Sequence, residues 1–207
     1  MTKNNELQRL ETLIEAKKID EDVKAMAFLE SLKQGLLKYG TLTEKQSTAL
    51  ARIEKLSTPE AKVAAAEWIK QYPIKHRKNA IICAKYYLAN PPYFSSLAKD
   101  IVNTPNFVPT KSQFDHLCTN PFAKKVLKEY YRAAAYDKGD LVQFRTTKAL
   151  PFHLNAVKGK VCVVIDNSYD FITTHAAGAK TYKLLPIGRT TTLLCQERWI
   201  KNFRKKK

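Results

Sequence analysis

The stretch YDKGDLVQFR, Tyr136–Arg145, marks a change in the character of this 207-residue chain. Within it, Val142 and Phe144 alternate with Gln143 and Arg145, which is the two-residue period of a strand with one buried face. Upstream, apolar residues recur at three- and four-residue steps, whereas downstream β-branched runs are separated by glycines. The sequence therefore predicts an α+β protein with three parts: an all-α domain over residues 1–136, a small SH3-like β-barrel over 137–203, and a basic tail over 204–207.

The segments that follow Arg145 repeat this alternation. GKVCVVID predicts a second strand, with Val161, Val163 and Ile165 facing inward. KTYKLLPIG predicts a third strand, with Tyr182 and Leu184 inward, and TTTLLCQ and ERWIKNF predict a fourth strand and a short closing element. Short strands of this number suit a small barrel, which closes its sheet and leaves no exposed edge.

Signals for the start and end of helices are dense upstream of Tyr136. One apolar face is predicted for a helix that ends at Gly40, formed by Val23, Met26, Leu29, Leu32 and Leu36. Residues that favour helix N-termini predict four later starts, namely Thr43 with Gln46, Ser57 with Glu60, Thr110 with Gln113, and Asn120 with Pro121.

These helix starts recur in the same order along the chain. FLESL, LTEKQ and TPEAK have counterparts in YFSSL, VPTKSQ and NPFAK. This order indicates a duplicated helical unit, with repeats over about residues 20–72 and 85–136. The alternative is that helix caps resemble one another wherever they occur.

The net charge of +17 is the strongest bulk property of the chain. It favours a polyanionic partner, with nucleic acid first and an anionic membrane second, although charge also keeps proteins in solution. Residues 1–73 carry 12 Lys+Arg and 11 Asp+Glu, whereas residues 137–207 carry 14 and 5. The mixed-charge front therefore suits a protein partner, and the rest suits nucleic acid.

A family resemblance rests on four segments: KGDLVQFR, KGKVCVVID, YKLLPIG and ERWIK. With Gly139–Asp140 opening the first strand and Lys158–Gly159 before the second, they resemble the KOW-type, SH3-like barrels of ribosomal proteins and NusG-class transcription factors. Two insertions, TTKALPFHLNAV and NSYDFITTHAAGA, depart from that motif. The resemblance implies binding to nucleic acid or ribonucleoprotein, but related barrels bind peptides, so shape alone leaves the ligand open.

The combination of helices and barrel also resembles uncharacterised proteins of large tailed bacteriophages. That likeness alone favours DNA over RNA. The candidate phosphate-binding residues are the cations of the barrel, of the tail and of the last helix: Lys138, Arg145, Lys148, Lys158, Lys160, Lys180, Lys183, Arg189, Arg198, Lys201, Arg204, Lys205, Lys206, Lys207, Lys124, Lys125, Lys128 and Arg132. Trp199 is the candidate for stacking on a base, and its alternative is packing in the core.

The last helix segment, FAKKVLKEYYR, is expected to turn Phe122, Val126 and Tyr130 toward the core. Its cations would then form a basic stripe on the other side, with only Glu129 to offset them. A second basic cluster lies in IKHRKNAIICAKYY, where Lys75, Arg77, Lys78 and Lys85 occur close together.

Catalytic and metal-binding motifs are absent from the sequence. Gly35 and Gly40 have the spacing of a phosphate loop, but Thr41 occupies the position of its essential lysine. The four cysteines include no C-x-x-C pair, so buried thiols are expected and no cofactor or metal is predicted. No apolar run is long enough to span a membrane and no signal peptide is recognised, so a cytoplasmic protein without a membrane partner is expected.

The sequence thus predicts a non-enzymatic accessory protein that binds nucleic acid through its phosphate backbone. The alternative is an adaptor that docks to a polymerase, helicase or ribosome through residues 1–73. A third class is a metal-dependent nuclease, for which Asp166 and Asp170 are the candidate carboxylates, although DNSYD reads first as a turn.

Overall fold

The computed structural model describes residues 3–19, 22–146, 150–169 and 172–204. In these ranges the protein is α+β, with helices that precede an antiparallel sheet, as predicted. The helices are α1 Lys3–Ile19, α2 Val23–Tyr39, α3 Glu44–Ser57, α4 Pro59–Gln71, α5 Arg77–Ala89, α6 Ser95–Asn103, α7 Lys111–Cys118 and α8 Pro121–Tyr131. The strands are β1 Leu141–Phe144, β2 Val161–Tyr169, β3 Thr181–Pro186, β4 Leu193–Gln196 and β5 Ile200–Asn202. The predictions for Lys148, Asp170 and Lys205 to Lys207 lie outside the described residues.

Two compact units make up the chain, Met1–Ile69 and Lys70–Lys207. The first contains α1 to α3 and most of α4, and the second contains α5 to α8 together with the sheet. The sequence pattern instead predicts a boundary after residue 136. The helices α5 to α8 group with the sheet because side chains at the end of α8 share hydrogen bonds with segments next to the strands, which no local sequence pattern indicates.

Leucines from three helices form the core of the first unit: Leu10, Leu13, Leu29, Leu32, Leu36 and Leu50. The three in α2 confirm the predicted spacing, although Val23 at the start of that helix is 68% exposed. Gly40 ends α2 in the left-handed conformation (φ +81°), and its N–H donates to the Leu36 carbonyl. Glycine adopts this C-cap conformation without steric cost.

The predicted caps of α3, α7 and α8 are confirmed. Thr43 with Gln46 and Thr110 with Gln113 form reciprocal capping boxes, and the Asn120 side chain accepts from two backbone N–H groups of α8. The predicted cap of α4 is one residue off. Thr58 Oγ1 accepts from the Ala61 N–H (3.2 Å), because the residue directly before a proline in the first helical position is the N-cap.

The two stretches predicted to be repeats differ in the lengths of their helices. In residues 20–72, α2 and α3 have 17 and 14 residues, whereas α6 and α7, at the matching positions of residues 85–136, have 9 and 8. The capping boxes recur, but the duplication itself stays a prediction.

The five strands pair in the order β4-β3-β2-β1-β5, and every pair is antiparallel. β4 and β5 are therefore the edges of the sheet. Hydrogen bonds between the described strands do not close it, so the expected barrel without exposed edges is not observed. The last strand follows a 3-10 helix, Glu197–Trp199, and returns beside β1.

One face of the sheet carries the core of the strand region. Val142, Phe144, Tyr182 and Leu184 are fully buried in it, as predicted. For β2 the predicted inward set of Val161, Val163 and Ile165 is wrong, because Cys162 and Val164 are the buried residues. The pairing of Val142 with Cys162 sets this register, and residues directly opposite each other project to the same face of a sheet.

The insertion before β2 contributes to this core. A 3-10 helix, Phe152–Val157, lies within it and buries Leu154 and Val157 against the strands. Gly159 follows with φ +73°, and a Cβ atom there would lie 3.2 Å from Thr146 Cγ2. The backbone conformation of the turn into β2 therefore favours glycine, and an added Cβ would press against the Thr146 methyl group.

Candidate nucleic-acid interface

The two compact units differ completely in charge. Residues 1–69 carry 11 Lys+Arg and 11 Asp+Glu, whereas residues 70–207 carry 25 and 8. The whole net charge of +17 therefore belongs to the second unit. A surplus of this size attracts polyanions and raises their rate of association.

The exposed side of α8 carries three of the predicted lysines, Lys124, Lys125 and Lys128. The buried side consists of Ala123, Val126 and Glu129. Phe122, predicted to face the core, is instead 52% exposed and contacts the His175 ring, with centroids 5.0 Å apart. The core face is set by a three-residue spacing from Ala123, whereas the prediction assumed a four-residue spacing from Phe122.

Glu129, expected to offset the α8 lysines, is turned away from them. It accepts from Arg132 Nη2 (2.7 Å) and from the Gly178 N–H (3.1 Å). Burial alone would raise the pKa of Glu129, but the Arg132 guanidinium and the N–H groups of Gly178 and Ala179 lower the pKa overall. The carboxylate thus stays ionised, and its charge is compensated internally.

Arg132 lies between two carboxylates. Its Nη2 also donates to Glu197 Oε1 (2.6 Å), and Glu197 begins the 3-10 helix that follows β4. Hydrogen bonds from the guanidinium to Glu129 and Glu197 raise the pKa of Arg132 further above its usual value. Arg132 is one of the four cations predicted in the last helix segment to bind phosphate. It instead holds α8 to the sheet, and its charge is not available to a phosphate.

Four predicted cations lie at one end of the sheet, here called the basic end: Arg145, Lys158, Lys160 and Arg189. Lys158 and Lys160 flank the turn into β2, and Arg189 lies in the turn between β3 and β4. The Ile187 N–H donates to the Val161 carbonyl (3.0 Å), which brings the two turns together. Lys158, Lys160 and Arg189 are exposed, and none of them forms an ion pair with a described carboxylate.

Two acidic residues, Asp137 and Asp140, lie at the opposite end of β1, on either side of Lys138. The Asp140 carboxylate accepts there from the Asp137 N–H (2.8 Å), which stabilises the turn before the strand. This end of β1 therefore carries charges of both signs, whereas the four residues named at the basic end are all cations.

Several other predicted residues have roles within the fold. Lys180 Nζ donates to the Tyr130 carbonyl (2.9 Å), and Arg145 Nε donates to the Ile200 carbonyl (2.9 Å). Lys183 lies opposite Asp166 in the pairing of β2 with β3. The exposed cations Lys138, Lys201 and Arg204 extend the basic surface.

Trp199 is partly buried and packs against the core of the sheet. The Arg198 guanidinium carbon lies 4.6 Å from the centre of its ring. Both features favour the packing role that the sequence analysis left open for this tryptophan.

The second basic cluster lines a groove, although its cations are not among the phosphate-binding residues predicted from the sequence. A cavity of about 350 Å³, here called the α5–α8 groove, is lined by Pro73, Arg77, Lys78, Ile81, Ile82, Lys85 and Tyr130. The sequence shows the cations as a cluster. Tyr130 also lines the groove, although it lies some 50 residues later in the chain and was predicted to face the core. Only the fold shows this contact.

Features of other functional classes are scarce in the described part of the chain. No three His, Cys, Asp or Glu side chains come together there as a metal site would require. The four cysteines are free and buried, as expected. Among the described helices, none has both the length and the apolar character that a membrane span needs.

No protein-family model matches the chain, and neither a curated protein nor a solved structure shows significant similarity to it. The candidate interface therefore rests on the residues and geometry described above.

Proposed function

We propose that the protein is a non-enzymatic, nucleic-acid-binding accessory protein that holds the phosphate backbone through its second unit. One observation carries the proposal: the second unit has the entire net charge of +17, and the first has none. Binding by charge neutralisation with release of counterions is largely independent of base sequence.

The arrangement of charges within the second unit supports this function. Its carboxylates at Glu129 and Glu197 are engaged by Arg132. The lysines on the outer face of α8 and the cations of the basic end form no ion pair with a described carboxylate. We expect these six residues to make the phosphate contacts: Lys124, Lys125, Lys128, Lys158, Lys160 and Arg189.

The finer fold assignment, a KOW-type or SH3-like barrel, belongs to the same proposal. It is supported by five short antiparallel strands, by a fifth strand that returns beside the first, and by the 3-10 helix before that strand. The bacteriophage likeness makes DNA the first ligand to test, and a cytoplasmic location is part of the proposal.

Fluorescence anisotropy with labelled duplex DNA, single-stranded DNA and RNA across a salt series tests the function. Binding should weaken linearly with the logarithm of salt concentration, with a slope of about −0.9 per phosphate contacted on duplex DNA. The triple variant Lys124→Gln, Lys125→Gln, Lys128→Gln should reduce that slope by about 2 to 3.

A matched control removes three exposed lysines from the neutral first unit: Lys24→Gln, Lys45→Gln, Lys55→Gln. This control should leave the slope within about 0.5 of the wild-type value, since the proposal places no phosphate contact in the first unit. An equal loss of slope in both triple variants would show that net charge alone, and not the α8 surface, determines binding. No binding at low salt would refute the proposed function.

A protein adaptor is the second candidate, favoured by the first unit. Its charge is balanced, and α4 has no fully buried side chain, with Val63 and Ile69 60% and 57% exposed. Such a surface suits a protein contact better than a nucleic acid. An adaptor would bind nucleic acid weakly and retain a partner protein, and Val63→Asp would release that partner.

The metal-dependent nuclease is the third candidate and has no support from a described carboxylate cluster. It predicts Mg²⁺-dependent cleavage of DNA that is lost on Asp166→Ala or Asp170→Ala.

A further inference from the structure

The α5–α8 groove combines cations with apolar surface in an ordered way. Arg77, Ile81 and Lys85 follow one another at four-residue spacing, so they share one face of α5. The two cations are roughly 12 Å apart along the helix axis at 1.5 Å per residue. Positive charge therefore lies at both ends of this face, with an apolar side chain between.

The wall opposite this helix face is aromatic. Tyr130 of α8 lines the groove, and Lys78 Nζ lies 5.5 Å from the centre of its ring and 5.6 Å from that of Tyr131. Pro73 completes the lining from a π-helical turn, Tyr72–His76, which leads directly into α5. Single π-helical turns are frequent at functional sites.

The lining excludes several kinds of ligand. All of its ionisable groups other than the tyrosine are cationic, and no described carboxylate pairs with Arg77, Lys78 or Lys85. A cation is therefore disfavoured, and inorganic phosphate would leave the apolar surface of Ile81 and Tyr130 uncovered. A flat, weakly polar group with phosphates attached matches both parts of the lining.

The volume of the groove distinguishes a single nucleotide from a duplex as the ligand. About 350 Å³ is at the lower end of the range for small-molecule sites, so the groove has room for a nucleotide and not for a duplex. A base within a duplex is covered by its stacked neighbours and cannot enter, whereas a base of a single strand can stack on an aromatic side chain.

We propose that the α5–α8 groove seats one nucleotide of a single-stranded nucleic acid. Arg77 and Lys85 contact the phosphates on its two sides, and its base lies against Ile81 and Tyr130. This inference rests on the proposed function and specifies it, because it makes a single strand the preferred ligand and adds a contact to the bases.

The test compares three labelled probes against the full-length protein: oligothymidylate, an abasic oligomer of the same length and charge, and a duplex. The wild-type protein should bind oligothymidylate about fivefold or more tightly than the abasic oligomer, the lower limit for one base stacked on an aromatic side chain. This comparison changes only the probe, so it does not depend on the folding of any variant.

Two double variants then locate the contact. Arg77→Gln with Lys85→Gln should remove most of the preference for oligothymidylate and reduce its salt slope by about 1.4, the value for two phosphate contacts on a single strand. Lys99→Gln with Lys111→Gln changes the charge equally in the same unit, and neither residue lines the groove. This control should keep the preference.

Each remaining outcome has one meaning. Equal binding of oligothymidylate and abasic oligomer by the wild-type protein would overturn the groove proposal and leave the proposed function standing. If AMP bound the groove as tightly as the oligomer does, the ligand of the groove would be a free nucleotide and not a single strand. That result would also overturn the groove proposal. No binding of any probe at low salt would refute the proposed function itself.

Discussion

The guanidinium of Arg132 and the carboxylate of Glu197 meet across 65 residues of chain, with Nη2 2.6 Å from Oε1. The same carboxylate accepts from the Tyr182 hydroxyl at Oε2 (2.8 Å), and that hydroxyl accepts from the Ala135 N–H (2.9 Å). These contacts join the end of α8, the segment before β1 and the strands β3 and β4. The second unit is thus held together by a polar network as well as by its apolar core.

Replacement of Arg132 by leucine should destabilise the protein by about 2 to 3 kcal/mol. Without Arg132, the carboxylates of Glu129 and Glu197 stay nearly buried and lose their ion pair. Breaking a fully buried ion pair in this way costs about 3 to 5 kcal/mol. The expected cost is smaller here because the Arg132 side chain is 36% exposed to solvent. Urea unfolding measures the loss, and the exposed Lys128→Leu should change stability by less than about 0.5 kcal/mol. Equal effects would contradict the role assigned to Arg132.

The stability of the second unit should fall in acid. The pKa of Glu129 is lower in the folded protein than the ordinary value of 4.5, so its contribution is complete above about pH 4.5 and is lost as the pH falls through the folded pKa. Thermal unfolding between pH 7 and pH 3 should show a decline that is less steep in Glu129→Gln. An unchanged pH dependence in this variant would place the acid-sensitive group elsewhere.

A chain of residues 70–207 should fold cooperatively, whereas residues 137–207 should not. The shorter fragment lacks Glu129, Arg132 and the Tyr130 carbonyl. It therefore leaves Glu197 without its guanidinium partner and Lys180 without its carbonyl partner. Circular dichroism melts and the dispersion of amide NMR signals distinguish the two fragments. If the shorter fragment melted at the same temperature as the longer one, the sheet would be independent of α8.

Gly178→Ala should cost at least about 1 kcal/mol more than Gly188→Ala. Both glycines have positive φ, +73° and +81°, so both substitutions carry the same backbone penalty. A Cβ at Gly178 would also lie 3.0 Å from Arg198 Cβ and 3.1 Å from its backbone nitrogen, whereas nothing lies within 4 Å at Gly188. Chemical denaturation of the two variants measures the difference, and similar values would show that the backbone around Arg198 relaxes.

The strands were predictable where only one alternating set of residues is apolar. In β1, Val142 and Phe144 alternate with Gln143 and Arg145, and this polar pair identifies the inward face from the sequence even though the strand begins with the exposed Leu141. In β2 both sets are apolar, because Cys162 and Val164 alternate with valines and isoleucine, and only the pairing with β1 decides between them. The inward face of such a strand is therefore a tertiary property.

The candidate site was predictable as a set of charges but not as a surface. Lys124, Lys125 and Lys128 are on an exposed helix face, as expected. Glu197 compensates the charge of Arg132 through a contact between residues far apart in the chain. Tyr130 likewise lines the α5–α8 groove beside residues of α5 that are far from it in the chain. Local patterns carry no information about such contacts.

The open edges of the sheet have a consequence for how copies of this protein behave in concentrated solution. β4 and β5 have only four and three residues, and each pairs with a single neighbour among the described strands, so another strand can join the sheet at these edges. Like charge on every molecule opposes that approach at low ionic strength. A polyanion that neutralises the charge of the protein removes this repulsion. We therefore expect many copies of the protein to cluster along a nucleic acid that is saturated with it. The solution should become turbid as the ratio of protein to polyanion approaches charge balance.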